Sequence, residues 1–366
     1  MYALKTLRDQ PFRFFFTAIG VALCVVLILF LLGIYKGVAV GSVEYVRSSQ
    51  ADCWVLQRHA TNILRSTSLL TTKHGRVLEK MEGVEKVSPV FFILASVKLP
   101  KGPASLYLTG YNPASGRGGP PAIAEGRNVE ADSEIVLDRS FAAKYKLKTG
   151  DWLQIRDDTL MVVGLSKGTN MFVIQYAFIT LQEAYNIIGI EDLVSCFQLE
   201  VKAGTDLVAL TDSIEERMQT VVMYDQETFL ANNIREMESG ILPLLFFVAV
   251  IGVVVLTAIL SLILSINVLE RRKDFAVMKA LGSPAGFVAG LVVAQSLVLA
   301  GSGLLMGVVC FFPLMKLVEN LAPEVSVLMS GFNLAIVGVG VLGISLISSI
   351  LPVRKLRKIY PMEVFK

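Results

Sequence analysis

Residues 267–284 read NVLERRKDFAVMKALGSP: a cluster of charges, a short apolar pattern and a Gly-Ser-Pro break, set between two long uncharged stretches. The stretch before it, Ser239 to Leu269, contains no Asp, Glu, Lys or Arg, and neither does the one after it, Ala280 to Met315. Two further runs of this kind occur, Phe14 to Tyr35 and Val325 to Val353. Each exceeds the roughly 20 residues that cross a hydrocarbon core about 30 Å thick. Lipid offers the backbone no hydrogen-bond partners, so uncharged runs of this length are expected to be helices. A mean hydropathy of +0.61, with 54% hydrophobic and only 18% charged residues, places the chain of 366 residues in the membrane class.

The expected architecture is a membrane protein with four transmembrane α-helices, at 14–35, 239–269, 284–313 and 332–353, and a large α+β domain inserted between helices 1 and 2, at 36–238. The first run is read as a retained anchor: its 22 uncharged residues are longer than a signal-peptide core, and Lys36 follows where small residues should mark cleavage. Orientation comes from short basic flanks. The N-terminus (1–13) carries Lys5, Arg8 and Arg13; the loop 270–283 carries Arg271, Arg272, Lys273 and Lys279; the tail (354–366) carries Arg354, Lys355, Arg357, Lys358 and Lys366. All three are expected in the cytoplasm, which puts residues 36–238 and the loop 314–331, with Lys316 against Glu319 and Glu324, outside.

Runs rich in apolar and β-branched residues predict strands at 52–57, 87–99, 104–111, 151–157, 159–165, 176–180 and 196–202 in the inserted domain. Helical periods occur near 67–82, 138–146, 181–188 and 206–219, and a polar helical pattern at 226–238 is expected to run on into the second span as a stalk. The Gly/Pro-rich stretch NPASGRGGPP (112–121) reads as an exposed connection, or as a divide between two lobes. Cys53 and Cys196 leave a disulfide open.

Within the opening stretch, Phe275, Met278 and Leu281 recur every three residues and Val277 stands four before Leu281, an apolar stripe about two turns long. Gly282 is placed to end that helix in the left-handed conformation, Ser283 to cap the next, and Pro284 to begin it. With these features together, ERRKDFAVMKALGSP resembles the cytoplasmic loop of the FtsX/MacB-like (type VII) ABC transporter permeases, whose pattern is E-R-R-x-(E/D)-(I/F)-(A/G)-x-(L/M)-(R/K)-A-L-G-(A/S). The tail LPVRKLRKIYPMEVFK (351–366) resembles that family's ending through Pro352, Arg354, Pro361, Met362 and Glu363, with departures at Tyr360, Val364 and Phe365. Residues 134–168, EIVLDRSFAAKYKLKTGDWLQIRDDTLMVVGLSKG, resemble a segment of the family's MacB-like periplasmic core domain, Gly150 and Asp151 making a turn into one strand and Gly164 ending the next.

The resemblance implies a permease subunit of the bacterial inner membrane. Residues 270–283 would form a coupling helix that sits in a groove of a separate cytoplasmic ATPase, present in two copies and using ATP and Mg²⁺. The coupling set would be Glu270, Arg271, Arg272, Lys273, Phe275, Met278, Lys279, Leu281 and Gly282, with Phe275, Met278 and Leu281 filling the groove. It further implies a homodimer whose first two spans meet, with Gly33 and Gly37 as a small-xxx-small contact like that of Gly303 and Gly307. A periplasmic membrane-fusion adaptor is a further expected partner. Export of an amphiphilic cargo (peptide, drug, lipid or haem) is the function expected, the alternative being mechanical regulation of a cell-wall hydrolase or lipoprotein release.

Several chemistries find no support. No G-x-x-x-x-G-K-[ST] loop is present, so the chain is not expected to hydrolyse ATP or to bind a cofactor itself. Gly338, Gly340 and Gly343 spell GxGxxG inside the fourth span, where close helix packing accounts for them. His59 and His74 stand apart from metal-ligand or triad spacings, and no basic tract with interleaved aromatics points to nucleic acid. Glu236, Met237 and Glu238, where the stalk meets the membrane surface, read first as a plain polar helix end; with a dimer axis nearby they are the candidates to hold a cationic or metalloporphyrin cargo.

Overall fold

The computed structural model describes residues 11–100, 102–171, 174–240 and 242–357, and the calls on Lys5, Arg8 and 358–366 lie outside them. Its elements in chain order are α1 (Pro11–Gly41), α2 (Glu44–Ser48), β1 (Cys53–Gln57), β2 (Leu70–Thr71), α3 (Thr72–Leu78), β3 (Val84–Lys98), β4 (Ala104–Tyr111), β5 (Ala122–Gly126), β6 (Glu134–Asp138), α4 (Arg139–Tyr145), β7 (Trp152–Ile155), β8 (Asp158–Lys167), β9 (Gln175–Thr180), α5 (Leu181–Ile188), β10 (Leu193–Val194), β11 (Cys196–Val201), α6 (Leu207–Arg217), β12 (Val221–Asp225), α7 (Gln226–Ser239), α8 (Leu242–Glu270), α9 (Arg272–Ala280), α10 (Ala285–Leu321), α11 (Gly331–Ser348) and α12 (Ile350–Arg357). They form two units. One holds residues 1–36, 243–318 and 327–366, the other 37–242 and 319–326.

In the helical unit, four stretches are long and apolar enough to cross a membrane: Phe14–Gly41, Leu242–Glu270, Gly286–Leu321 and Gly331–Leu356. Close approach is bought with small residues. A Cβ on Gly303 would stand 2.4 Å from Val21 and one on Gly307 2.9 Å from Val25, so α10 lies tightly on α1 only because both positions are glycine. Ser296 Oγ donates to the Ser345 carbonyl, 2.7 Å, tying α10 to α11. α10 runs on through Pro313 to Leu321, two turns past its expected end. The expected fourth span is divided at Ser349, where Ser345, Ser348 and Ser349 turn their hydroxyls back onto carbonyls three or four residues earlier.

In the other unit the strand order is β12-β1-β11-β3-β4-β9-β6-β8-β5, with β7 joining β3 to β8. The pairings β3-β4-β9-β6-β8-β7 therefore return to β3 and close a ring, sealed by Val97 opposite Ile155 and Lys98 opposite Gln154. Its interior is filled by Ile93, Val97, Leu106, Leu108, Leu137, Ile155 and Val162, among others. Strand β3 has 15 residues and serves twice: Val84–Val90 pairs with β11, and Val90–Val97 with β4. Of the two readings of 112–121, the divide between two lobes gives way to a connection within one sheet that shares a strand.

The seven predicted strands are all present, but β2, β5, β6, β10 and β12 were not foreseen. β2 and β10 have two residues each and the other three five, too little for alternation to stand out, and β6 is buried throughout between β8 and β9. Gly150 makes the expected turn at φ 94°, whereas Gly164 does not end β8: it sits inside it, where a Cβ would meet the Arg127 carbonyl at 2.1 Å. All cysteines among the described residues are free. On β1, Cys53 faces the cluster with Leu70 and Leu210, while Cys196 on adjacent β11 faces the opposite one with Trp54 and Tyr45, so no bridge joins them. Burial pushes the Cys53 thiol up to about 12, with the Asp52 and Asp225 carboxylates adding to it.

Arg127 clamps Glu134 with both nitrogens of its fork, one at 2.8 Å, and the backbone N–H groups of Glu130 and Ala131 donate to the same carboxylate. The Arg127 guanidinium first, then those N–H groups, holds the Glu134 carboxyl down at about 2, from an ordinary 4.5. Because the folded value is the lower one, this clamp stabilises above pH 4.5 and its contribution is lost as pH falls toward 2. Glu134→Gln should cost about 2 kcal/mol at pH 7, and the difference from wild type in thermal unfolding should shrink as pH is lowered through that window.

Candidate functional site

α8 leaves its apolar run at Glu270, the backbone turns at Arg271, and α9 begins at Arg272. It ends as the glycine foretold: Gly282 has φ 86°, its N–H bonds Lys279 O at 3.1 Å, and the Ser283 N–H reaches Met278 O at 3.0 Å. That pair of bonds is a Schellman motif, which closes the helix at Leu281. The Pro284 carbonyl accepts from Phe287 and Val288, so Pro284 stands just before α10 rather than at its first position.

α9 is pinned by its own chain. Phe275 is 2% exposed and packs with Ala276, Val268 of α8, Val288 and Val292 of α10, and Leu356 of α12. Met278 touches this cluster and is half-buried. Lys279 Nζ donates to the Leu356 carbonyl at 2.9 Å, a second tie between α9 and α12. The expectation that Phe275 fills a partner's groove is therefore corrected: its ring is spent on the chain's own core. The face turned outward carries Lys273, Val277 and Leu281, spaced four apart, with Leu281 82% exposed. Glu270, Arg272 and Gly282 are exposed beside it and Arg271 is half-buried.

Gly33 and Gly37 are likewise covered by the chain itself. A Cβ on Gly33 would stand 2.5 Å from Val327, and one on Gly37 1.8 Å from the Ser326 carbonyl. The Leu328 N–H also donates to Gly33 O at 3.1 Å. The two glycines therefore admit an extended segment of the same chain rather than a second copy. Glu236 Oε1 accepts from Arg65 at 2.9 Å, Met237 is half-buried and Glu238 is exposed. The helix they sit on stops at Ser239, with Gly240 out of helical conformation. His74 accepts from the Thr71 N–H at 3.2 Å and caps α3, a structural role; His59 is exposed.

One arrangement has no local trace in the sequence. Segment 319–326, between α10 and α11, belongs to the unit built from 37–242. Lys144 Nζ meets Glu324 Oε1 at 2.7 Å, and Asn170 Nδ2 donates to the Glu324 carbonyl at 2.9 Å. Glu324, counted in sequence only as a charge that sets orientation, is a fastening point. The chain passes between the two units four times, at 36/37, 242/243, 318/319 and 326/327.

A family profile for the MacB-like periplasmic core domain matches residues 14–217, and one for the FtsX-like permease C-terminal region matches 246–361. The chain belongs to the MacB/FtsX type of ABC transporter permease. It is 23% identical over 365 residues to an uncharacterised ABC transporter permease of Mycobacterium tuberculosis, covering 99% of this chain and 98% of that one. An uncharacterised ABC transporter permease of Methanocaldococcus jannaschii is 25% identical over 262 residues, 67% of this chain and 65% of the relative's length. Among solved structures, the periplasmic region of MacB from Actinobacillus actinomycetemcomitans aligns with a TM-score of 0.39 at 11% identity, over 50% of this chain and 92% of that one. The charged wedge between α8 and α10 lies inside the FtsX-like match, and the inserted domain as far as Arg217 inside the MacB-like one.

Phe275→Ala should cost about 3 kcal/mol and speed amide exchange across residues 272–281 of this permease. Leu281→Ala, on the exposed face, should leave that exchange unchanged.

Proposed function

We propose that this permease works with a separate cytoplasmic ATPase, two ATPase copies serving two copies of the chain in the bacterial inner membrane. Both termini and α9 lie in the cytoplasm, and the inserted domain lies outside. The observation that carries the reading is the division of α9 into two faces: Phe275 and Lys279 lock it to the bundle, while Lys273, Val277 and Leu281 stand clear. A helix so fixed moves as part of the bundle, and an exposed apolar tip such as Leu281 suits a shallow groove on a partner. ATP-driven closure of the two ATPases would push on these tips. Flanking Arg272 and Lys273 would meet acidic groups or anionic lipid. ATP and Mg²⁺ belong to that partner.

The four chain passages give a push on the bundle several covalent routes to the inserted domain, one through the segment held by Lys144 and Glu324. The work done outside is the export of an amphiphilic cargo, peptide, drug, lipid or haem, with a membrane-fusion adaptor as recipient. The same four passages also favour a second reading, in which the domain's movement regulates a cell-wall hydrolase or releases lipoproteins. ATPase stimulation of the reconstituted complex separates them: amphiphiles raise it under the first reading, and a hydrolase or lipoprotein under the second.

Val277→Asp with Leu281→Asp should weaken capture of the ATPase at least tenfold in pull-down while thermal unfolding of the permease itself is unaltered. Undiminished capture, or labelling of a cysteine at position 273 from outside the cell, would overturn the assignment. Lys144→Ala with Glu324→Ala should leave capture intact and lower ATP-dependent movement of the inserted domain, read by distance labels.

A further inference from the structure

Between β1 and β2 the chain runs from Arg58 to Leu69 without forming a helix or strand. This loop is held from two sides. The Tyr107 hydroxyl of β4 donates to the Ile63 carbonyl at 3.0 Å, and the Ile63 N–H donates to Asn233 Oδ1 of α7 at 3.1 Å. Arg65 meets Glu236 on the same helix at 2.9 Å.

Between the loop and the sheet is a cavity of about 210 Å³, and Leu56, Leu64, Leu69, Phe92, Tyr107 and Cys196 give it an apolar lining. The Phe92 and Tyr107 rings stack at 5.5 Å, 8° from parallel. Burial pushes the Cys196 thiol and the Tyr107 hydroxyl up, so both keep their protons. The polar side chains around the cavity are already engaged. Asn62 Oδ1 accepts from the Arg65 and Ser66 N–H groups, and Ser68 Oγ stands between the Gln57 N–H and the Ser195 carbonyl. Ser195 Oγ in turn accepts from the Phe92 N–H at 3.0 Å. A water inside needs about two to four polar partners, and these commitments leave mainly ring and hydrocarbon surface to be covered. Arg65 and Thr67, both exposed, mark the solvent side. Leu69 is 49% exposed, and Leu94, directly across from Tyr107 on the same face of the sheet, is 59% exposed. Exposed apolar side chains beside a cavity make it an entry point for an apolar group.

We propose that this cavity binds one uncharged aromatic ring whose polar substituent points past Arg65 and Thr67 to solvent. The volume suits a single ring system, since an engineered apolar cavity of about 150 Å³ holds benzene, and the Phe92–Tyr107 stack supplies aromatic surface for it. A charged ring is rejected: Cys196 and Tyr107 are neutral, and Arg65 is already paired with Glu236. A free aromatic amphiphile and an aromatic residue of a peptide share this chemistry. The outer wall of the cavity is the loop that Asn233 and Glu236 hold, so occupancy bears on α7, which ends just before the chain passes to the helical unit. The site stands on the inserted domain alone and does not depend on the transport reading.

Fluorine NMR on the full chain in lipid nanodiscs tests it, with fluoroindole, N-acetylfluorotryptophanamide and the anionic fluoroindoleacetate as probes and empty nanodiscs as the baseline. Fluoroindole should broaden beyond that baseline, and the anion at least tenfold less. Broadening of fluoroindole alone supports a free amphiphile, and broadening of both neutral probes supports a peptide residue. Cys196→Leu extends apolar bulk into the cavity and should abolish the broadening. Leu69→Asp, at an exposed position, sets a charge at the mouth and should weaken binding at least tenfold, which keeps the test open if the first variant fails to fold. No broadening beyond empty nanodiscs, equal broadening of the anion, or broadening retained in both variants overturns the proposal.

Discussion

The burial of Phe275 decides what the charged wedge can be. A nine-residue helix is too short to persist in water on its own, and α9 holds because this ring sits among Val268, Val288, Val292 and Leu356. Lys279 adds a bond to the Leu356 carbonyl of α12. Once this side is committed, the rotation of α9 is set, and Val277 and Leu281 have nowhere to point but outward. The rigidity of α9 thus comes from residues on its inward side and leaves the outward side free of that task.

The inserted domain is organised by the length of β3. Its first half supports the open sheet with β11, β1 and β12, and its second half helps close a six-stranded ring. One continuous strand makes the two parts a single body rather than two lobes on a hinge. β1 reads as a continuous apolar run because both of its faces are covered: Trp54 and Leu56 enter one core, Cys53 and Val55 the other. Trp54 stacks on Phe229 at 4.7 Å and donates to Gln226, which anchors α7 to this sheet shortly before the chain passes to the helical unit.

Four helices, their basic flanks and the Gly282 stop were legible because each depends on residues within a turn or two of one another. The stripe Phe275, Met278, Leu281 was legible as a pattern, yet its division was not. Positions three apart lie only roughly above one another on a helix, and which of them is inward depends on α10 and α12 arriving from elsewhere. Gly33 and Gly37 show the same limit: small residues announce a close approach without naming the neighbour, here Val327 and Ser326 of the same chain. Glu236 was legible as a charge near a helix end, and only the loop carrying Arg65 shows where that charge goes.

From its own residues, this sequence determined the class of protein, the number of apolar helices, most strands of the inserted domain and the family, because hydrophobic length, period and local motif are properties of contiguous chain. Tertiary structure alone decided the closure of the sheet, the capture of segment 319–326 by Lys144 and Asn170, and the face that α9 presents. These join residues as far as 180 positions apart. No spacing in the chain encodes such pairs; they follow from which surfaces remain to be covered once the local elements have formed.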